Sequence, residues 1–282
     1  MMLRHLLLSA AGLLACGAPA LAQADPAPTG TLRAVYLGTN PAQAQRNPQT
    51  GELGGASFDL ATDLARRLGK PLDFKPAANP PAVIEAVRSG QADIGFVAYE
   101  ATRVGPVAFS QTYMINQQSF LVLGDSPIKA VADVDRPGRK IAGTRNDSVT
   151  LCMKRVLKQA SLVELENDPA GVTRALEARE IDAFGASRAR LTALARDLRG
   201  ARLLPDDFFT VPQNIVVAGG RPDALAEINA FIDDVRASGF LSRAVEKSGV
   251  IGLAPAAPGP VTQHGCRGQI LRAGRMSHAV TS

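Results

Sequence analysis

The sequence predicts an α/β fold of two similar lobes, each a mixed, mostly parallel sheet flanked by helices. Two observations predict it. Short apolar runs such as Ala92-Asp93-Ile94-Gly95-Phe96-Val97 alternate with amphipathic stretches of ten or more residues, which is the pattern of βαβ units. That register occurs twice. Each pass closes on an aspartate-led strand, from Asp93 in the first and from Asp182 in the second.

In the first pass, Thr31 to Leu37 reads as a strand, and a loop with Asn40, Pro41, Asn47, Pro48 and Gly51 follows. Leu60, Leu64 and Leu68 recur at helical spacing and Gly69 stops that helix. Leu72 to Pro76 is a brief strand, and the segment around Val83, Ile84 and Val87 is a helix ending at Gly90. The second pass opens after the strand Ser119 to Leu123. It runs through strand Lys140 to Gly143, helix Val149 to Gln159, strand Leu162 to Leu165, helix Ala170 to Arg179, strand Ile181 to Phe184 and helix Leu191 to Leu198. A late strand, Asn214 to Ala218, precedes two helices, Pro222 to Ser238 and Leu241 to Ser248. From Pro255 periodicity is lost, and 255–282 is expected to be a disordered tail.

The start of the chain reads as a secretory signal peptide over residues 1–22. Arg4 and His5 precede a short apolar run, and small residues end at Ala20-Leu21-Ala22. The alternative is the lipobox-like Leu13-Leu14-Ala15-Cys16, which would leave a lipid anchor on Cys16. A periplasmic location follows from either reading.

Composition excludes several classes of function. The net charge of +5 owes much to Arg4, Arg267, Arg272 and Arg275 at the ends, and no basic stripe with interleaved aromatics argues for nucleic acid. Between Ala24 and Ala254 the only cysteine is Cys152 and there is no histidine. No zinc-ligand spacing and no Ser-His or Cys-His pair can be built there, and no cofactor is expected. Cys152 falls in a helical pattern as a small core residue, with a bond to Cys266 open in an oxidising compartment. Gly138 to Thr144 lacks the P-loop lysine, and Gly185-Ala186-Ser187-Arg188-Ala189 is not a nucleophile elbow.

Several segments, in order and spacing, resemble the amino-acid-type (family 3) periplasmic solute-binding proteins of ABC importers. They are Gly30 to Asn40, Gly55 to Ala61 with the helix after it, Ala86 to Phe96, and Arg103 followed by Phe109-Ser110 and Tyr113. Arg179 to Ala186 and Asp233 to Gly249 continue the likeness, which spans about Gly30 to Gly252. The resemblance implies the type II periplasmic-binding-protein fold, with lobe one at 30–120 plus 219–254 and lobe two at 121–218. A two-strand hinge would lie near Phe120–Leu123 and Ile215–Val217. It also implies a small solute in the cleft, a membrane permease as partner, and a monomer.

For the site, the resemblance implies that Arg103 clamps a ligand carboxylate, a role suited to the guanidinium fork. Asn146-Asp147-Ser148 would complete the anion site at a helix N-terminus, Ser148 by its hydroxyl and Asp147 either as a contact or as the helix cap. Six positions depart from the pattern, among them Asp147, which puts a negative charge at the anion site, and Glu100, where the family usually carries Thr. Ser187 stands where the family's aspartate receives an α-ammonium, Asn40 replaces an acid, Pro80 stands near a usual stacking Phe, and Gln43 stands near a usual Tyr. Glu100 is an added charge, paired with Arg103 or receiving a ligand cation. Tyr99 and Gln213 are rim candidates. The expected solute is therefore an organic acid or an amino-acid derivative rather than an ordinary α-amino acid. An enzyme of the cyclohexadienyl-dehydratase type, with Glu100 or Asp147 as acid, and a periplasmic sensor are the alternatives.

Overall fold

A computed structural model describes residues 25–47, 49–259 and Cys266. The leader, Cys16 and most of the expected tail lie outside the described residues. Twelve strands occur in the order β1 (Leu32–Leu37), β2 (Gln45–Arg46), β3 (Leu53–Gly54), β4 (Leu72–Ala77), β5 (Ile94–Ala98), β6 (Val107–Leu123), β7 (Lys140–Thr144), β8 (Ser161–Leu165), β9 (Ala183–Ser187), β10 (Ala201–Leu203), β11 (Phe209–Ala218) and β12 (Leu253–Pro255). The helices are α1 (Ala56–Arg67), α2 (Pro80–Arg88), α3 (Ser148–Val156), α4 (Pro169–Glu177), α5 (Arg188–Asp197), α6 (Pro222–Ala237) and α7 (Phe240–Ser248).

Ten of these strands form one sheet, ordered β4-β1-β5-β11-β6-β9-β7-β8 with β10 and β12 also paired to β6, and β2 and β3 pair as a separate two-stranded sheet. β1 is parallel to β4 and β5, and β7 is parallel to β8 and β9, so each half repeats the same three-strand unit. Strands β6 and β11 run antiparallel to their neighbours and join the halves. In one half α1, α6 and α7 cover one face of the sheet, around Leu60, Phe96, Ile228 and Leu241, while α2 covers the other with Val83 and Val87. The second half is sandwiched likewise, with α3 on one face beside Phe120 and Ile141, and α4 and α5 on the other beside Leu121 and Phe184.

The expected hinge segments, Phe120–Leu123 and Ile215–Val217, each pair inside one half. Leu121 faces Phe184 of β9, and Ile215 faces Phe96 of β5. The change of partner falls between them, where Asn116–Gln118 of β6 faces Phe209–Val211 of β11 before β9 takes over at Gln118. The seventeen-residue β6 begins well before the expected Ser119. Its buried polar residues Ser110, Thr112, Asn116, Gln118 and Ser119 break the apolar pattern that marks a strand. Ser110 has a clear task. The β6–β11 register slips around Asn214, and the Ile215 N–H donates to Ser110 Oγ at 2.9 Å.

Order also extends beyond the expected end of the folded body. Pro255 belongs to β12, and the Ala256 N–H donates to the Tyr113 carbonyl at 3.0 Å. Cys266 is bonded to Cys152, whose side chain is fully buried in α3, across a separation of 114 residues. Closing so long a loop lowers the entropy of the unfolded chain. Reduction, or Cys266→Ser, should therefore cost about 2–4 kcal/mol in urea unfolding; equal midpoints with and without reductant would count against this.

Two partly or fully buried carboxylates make the fold acid-sensitive. Burial opposes the charge on Asp135, but the N–H groups of Ala160, Gln159 and Lys158 hold its pKa below the ordinary 3.8. Burial likewise opposes Asp63, which Arg66 and Arg67 hold low. A depressed folded-state value contributes stability above the unfolded value of 3.8, and that contribution is lost as pH falls through the folded value. Urea stability should be level near neutrality and fall below about pH 4. Asp63→Asn and Asp135→Asn should each shallow that fall.

Candidate ligand-binding cleft

Parallel strands point their carboxyl ends, and the helices that follow point their N-termini, at the gap between the halves. The ends of β1, β5, β7 and β9 all meet there. Leu37, Asn40, Ala98, Ser148 and Ser187 line the cleft, with Asn116, Gln118 and Gln213 from the crossing strands forming its floor. The cavity within the cleft is about 30 Å³. The site is small and its walls stand close together.

Arg103 sits in a single 3-10 turn after β5 and crosses this gap. Its Nη1 donates to the Ala98 carbonyl at 2.8 Å and its Nη2 to the Asn146 carbonyl at 2.7 Å, so one side chain touches both halves. Asn146 adopts a left-handed φ of 60°, a conformation Asn tolerates well, in the turn between β7 and α3. Gly143 lets α3 approach β7, since a Cβ there would lie 2.3 Å from Thr150 Oγ1 and 2.6 Å from Met153 Cε. Burial lowers the pKa of the Arg103 guanidinium, against the pull of Asp147 and then Glu100.

Asp147 caps α3, accepting the Ser148 N–H at 2.8 Å. Ser148 is 1% exposed, and its hydroxyl has no partner among the described residues. Ser187 caps α5, accepting the Arg190 N–H at 3.3 Å. Asn40 accepts the Ala42 N–H at 3.1 Å. Gln43 and Gln213 form a buried chain in which the Leu37 N–H donates to Gln43 Oε1 at 2.7 Å and Gln43 Nε2 donates to Gln213 Oε1 at 3.3 Å. A Cβ at Gly55 would strike the Gln43 carbonyl at 2.7 Å, so that glycine lets α1 press on the loop carrying Gln43. Among the described residues no group of three or more His, Cys, Asp and Glu could hold a metal.

The sequence profile of the bacterial extracellular solute-binding proteins, family 3, matches residues 32–249. The chain belongs to that family. A glutamine-binding protein of Geobacillus stearothermophilus is 27% identical over 175 residues, which is 60% of this chain and 66%, just under two thirds, of that relative. Among solved structures, an ancestral arginine-binding protein bound to arginine shares 25% identity at a TM-score of 0.67, covering 77% of this chain and 97% of its own. An ancestral amino-acid-binding protein, a precursor of cyclohexadienyl dehydratase, shares 23% identity at a TM-score of 0.65, covering 77% and 94%. These neighbours have the two-lobed periplasmic-binding-protein fold, and this chain shares it.

Within this family-3 fold, five of the expected site residues, Arg103, Asp147, Ser148, Ser187 and Asn40, line the cleft, and Pro80 joins them. Glu100 and Tyr99 do not. Glu100 is buried and turns to α3, where Arg155 Nη1 lies 3.5 Å from its Oε2. A buried carboxylate needs a cation, and α3 supplies one across the gap. Tyr99 follows β5 with its ring edge-on to Phe109, centroids 5.1 Å apart.

Arg190, absent from the sequence expectations, proves to be a wall of the cleft. It is 7% exposed and stacks over Phe184 at 5.3 Å. Its Nη1 donates to Thr144 Oγ1 at 3.0 Å, while Nε and Nη2 have no partner among the described residues. Burial lowers its pKa, opposed by Asp147. Periodicity alone starts the helix at Leu191, three residues after its first residue Arg188. The available signal is Ser187 as N-cap, which puts Arg190 in the first turn, where the helix dipole disfavours a cation. Since the Ser148 hydroxyl bonds nothing among the described residues, Ser148→Ala should leave urea stability unchanged or raise it by up to about 1 kcal/mol. A loss of stability instead would assign that hydroxyl a structural role.

Proposed function

We propose that the protein is the extracytoplasmic solute-binding component of an ABC importer, and that it captures a small carboxylate-bearing solute between its lobes. One observation carries the reading. The buried polar atoms Ser148 Oγ, Arg190 Nε and Nη2, and Asn116 Oδ1 lack partners among the described residues, and all belong to residues lining one cleft. Buried polar groups are normally satisfied, so a cluster of unsatisfied ones marks where a polar ligand sits. Most of them are donors, Arg103 stands beside them, and the N-terminus of α3 adds its dipole.

Family membership supports a solute-binding role, and the solved neighbours include the substrate-binding protein of an amino acid ABC transporter. The lobes are read as 30–120 with 219–254, extended by Pro255 and Ala256, and as 121–218. They close about the β6–β11 crossing by hinge motion. Export to the periplasm, a monomeric state and a permease partner complete the reading. Catalysis is not favoured. Glu100 is turned toward Arg155, and the Asp147 carboxylate caps α3.

Thermal-shift screening of amino acids and organic acids against the purified protein would find the solute class, since a ligand that binds only the folded state raises Tm. Calorimetric titration of the best binder should then show Arg103→Ala weakening affinity about 30-fold or more. Undiminished affinity would remove the carboxylate clamp.

A further inference from the structure

The partnerless edge of Arg190 has a defined shape. Nε–H and Nη2–H lie side by side on the guanidinium, and together they form the fork that takes both oxygens of one carboxylate. This chain uses that fork twice elsewhere. Arg33 donates from Nε and Nη2 to Asp93 at 3.1 and 2.6 Å, and Arg88 does the same to Glu85 at 2.7 and 2.7 Å. In Arg190, a residue lining the cleft, the fork is buried, with Phe184 beneath the guanidinium plane and Thr144 on Nη1.

The charges that line the cleft do not balance. Arg103 and Arg190 are the cations, and Asp147 is the one acidic residue among the lining residues. That carboxylate already accepts the Ser148 N–H, and Arg155 with Glu100 form a separate pair behind the wall. A solute with one carboxylate could satisfy Arg103 and Ser148. It would leave the fork of Arg190 desolvated and unmatched, a costly arrangement for a buried cation.

We propose that the solute is a short dicarboxylate. One carboxylate meets Arg103, Ser148 and the start of α3, and the other meets the Nε–Nη2 edge of Arg190. This rests on the carboxylate reading above and extends it by a second anionic group. The small cleft restricts the spacer to a few carbons.

Calorimetric titration with matched pairs tests it. The pairs are succinate with succinamate, glutarate with glutaramate, and L-glutamate with L-glutamine, each half-amide keeping the shape and removing one charge. In the best-binding pair the dianion should be tighter by about 30-fold or more, and Arg190→Gln should erase that preference by weakening the dianion alone. A role of Arg190 in folding only would weaken both members equally and leave the ratio intact. Arg190→Lys, which keeps the charge without the fork, serves if the Gln variant unfolds early, and it should narrow the ratio too. Half-amides that bind the unmodified protein as tightly as dianions, or a preference that survives both variants, would overturn the dicarboxylate assignment. If Arg103→Ala still abolished binding in that case, the carboxylate reading would stand without it. Binding of no member at millimolar concentration would sink both.

Discussion

The two halves of the molecule are hydrogen-bonded to each other through β6 and β11, and the geometry of the cleft follows from that pairing. β5 is registered on β11 and β9 on β6, so the distance between the strand ends that carry Ala98 and Ser187 is set where these two strands cross. The crossing carries more buried polar side chains than an ordinary sheet interior. Asn214 donates to the Ser110 carbonyl at 2.7 Å, and Gln118 donates to the Asn116 carbonyl at 2.7 Å. Such side-chain bonds stand in for the backbone ladder where the register slips, and they keep the irregular crossing satisfied while its partners change.

Across the cleft the bonds are of a different kind. Arg103 to Asn146, Glu100 to Arg155 and Thr39 to Asn167 each join the two halves by polar groups rather than by packed apolar surface. Among the described residues most apolar packing lies in four clusters within the halves, with Ala98 of β5 packing across onto the second half's cluster. Separating the lobes thus exposes little hydrophobic area and exchanges protein hydrogen bonds for bonds to water, which cost little net. A carboxylate at Arg103 would compete with, or add to, the carbonyls the guanidinium now contacts. Affinity and lobe position would then be linked through one side chain.

Most elements are legible in the sequence because their signals are local. Periodicity marks α1 and α6, and short apolar runs bounded by Gly mark β5 and β7. β6 reads too short because a strand that carries five buried polar residues does not look apolar. β10 and β12, of three residues each, fall below what periodicity can resolve. At the site, Arg103, Ser148 and Ser187 are visible through a family pattern. Glu100 is misplaced by sequence because the cation that claims it, Arg155, lies 55 residues away. Arg190 escapes because the expected helix starts at Leu191, three residues after the observed start at Arg188. The bond of Cys152 to Cys266 cannot be fixed from sequence, because spacing alone says nothing of proximity over 114 residues.

Ser187 and Arg190 are best understood together. In the family resemblance, position 187 is an aspartate that receives an ammonium group; here it is a serine whose hydroxyl caps α5. Three residues later the same helix presents a guanidinium to the same cleft. With a serine at 187 and an arginine at 190, that wall of the cleft carries a positive charge and no carboxylate of its own. A guanidinium at 7% exposure, whose Nε and Nη2 have no partner among the described residues, is tolerated if the site spends its working life filled by an anion. Asp147, itself a departure from the family pattern, caps α3 and opposes the effect of burial on both guanidinium groups, with Glu100 adding to it at Arg103.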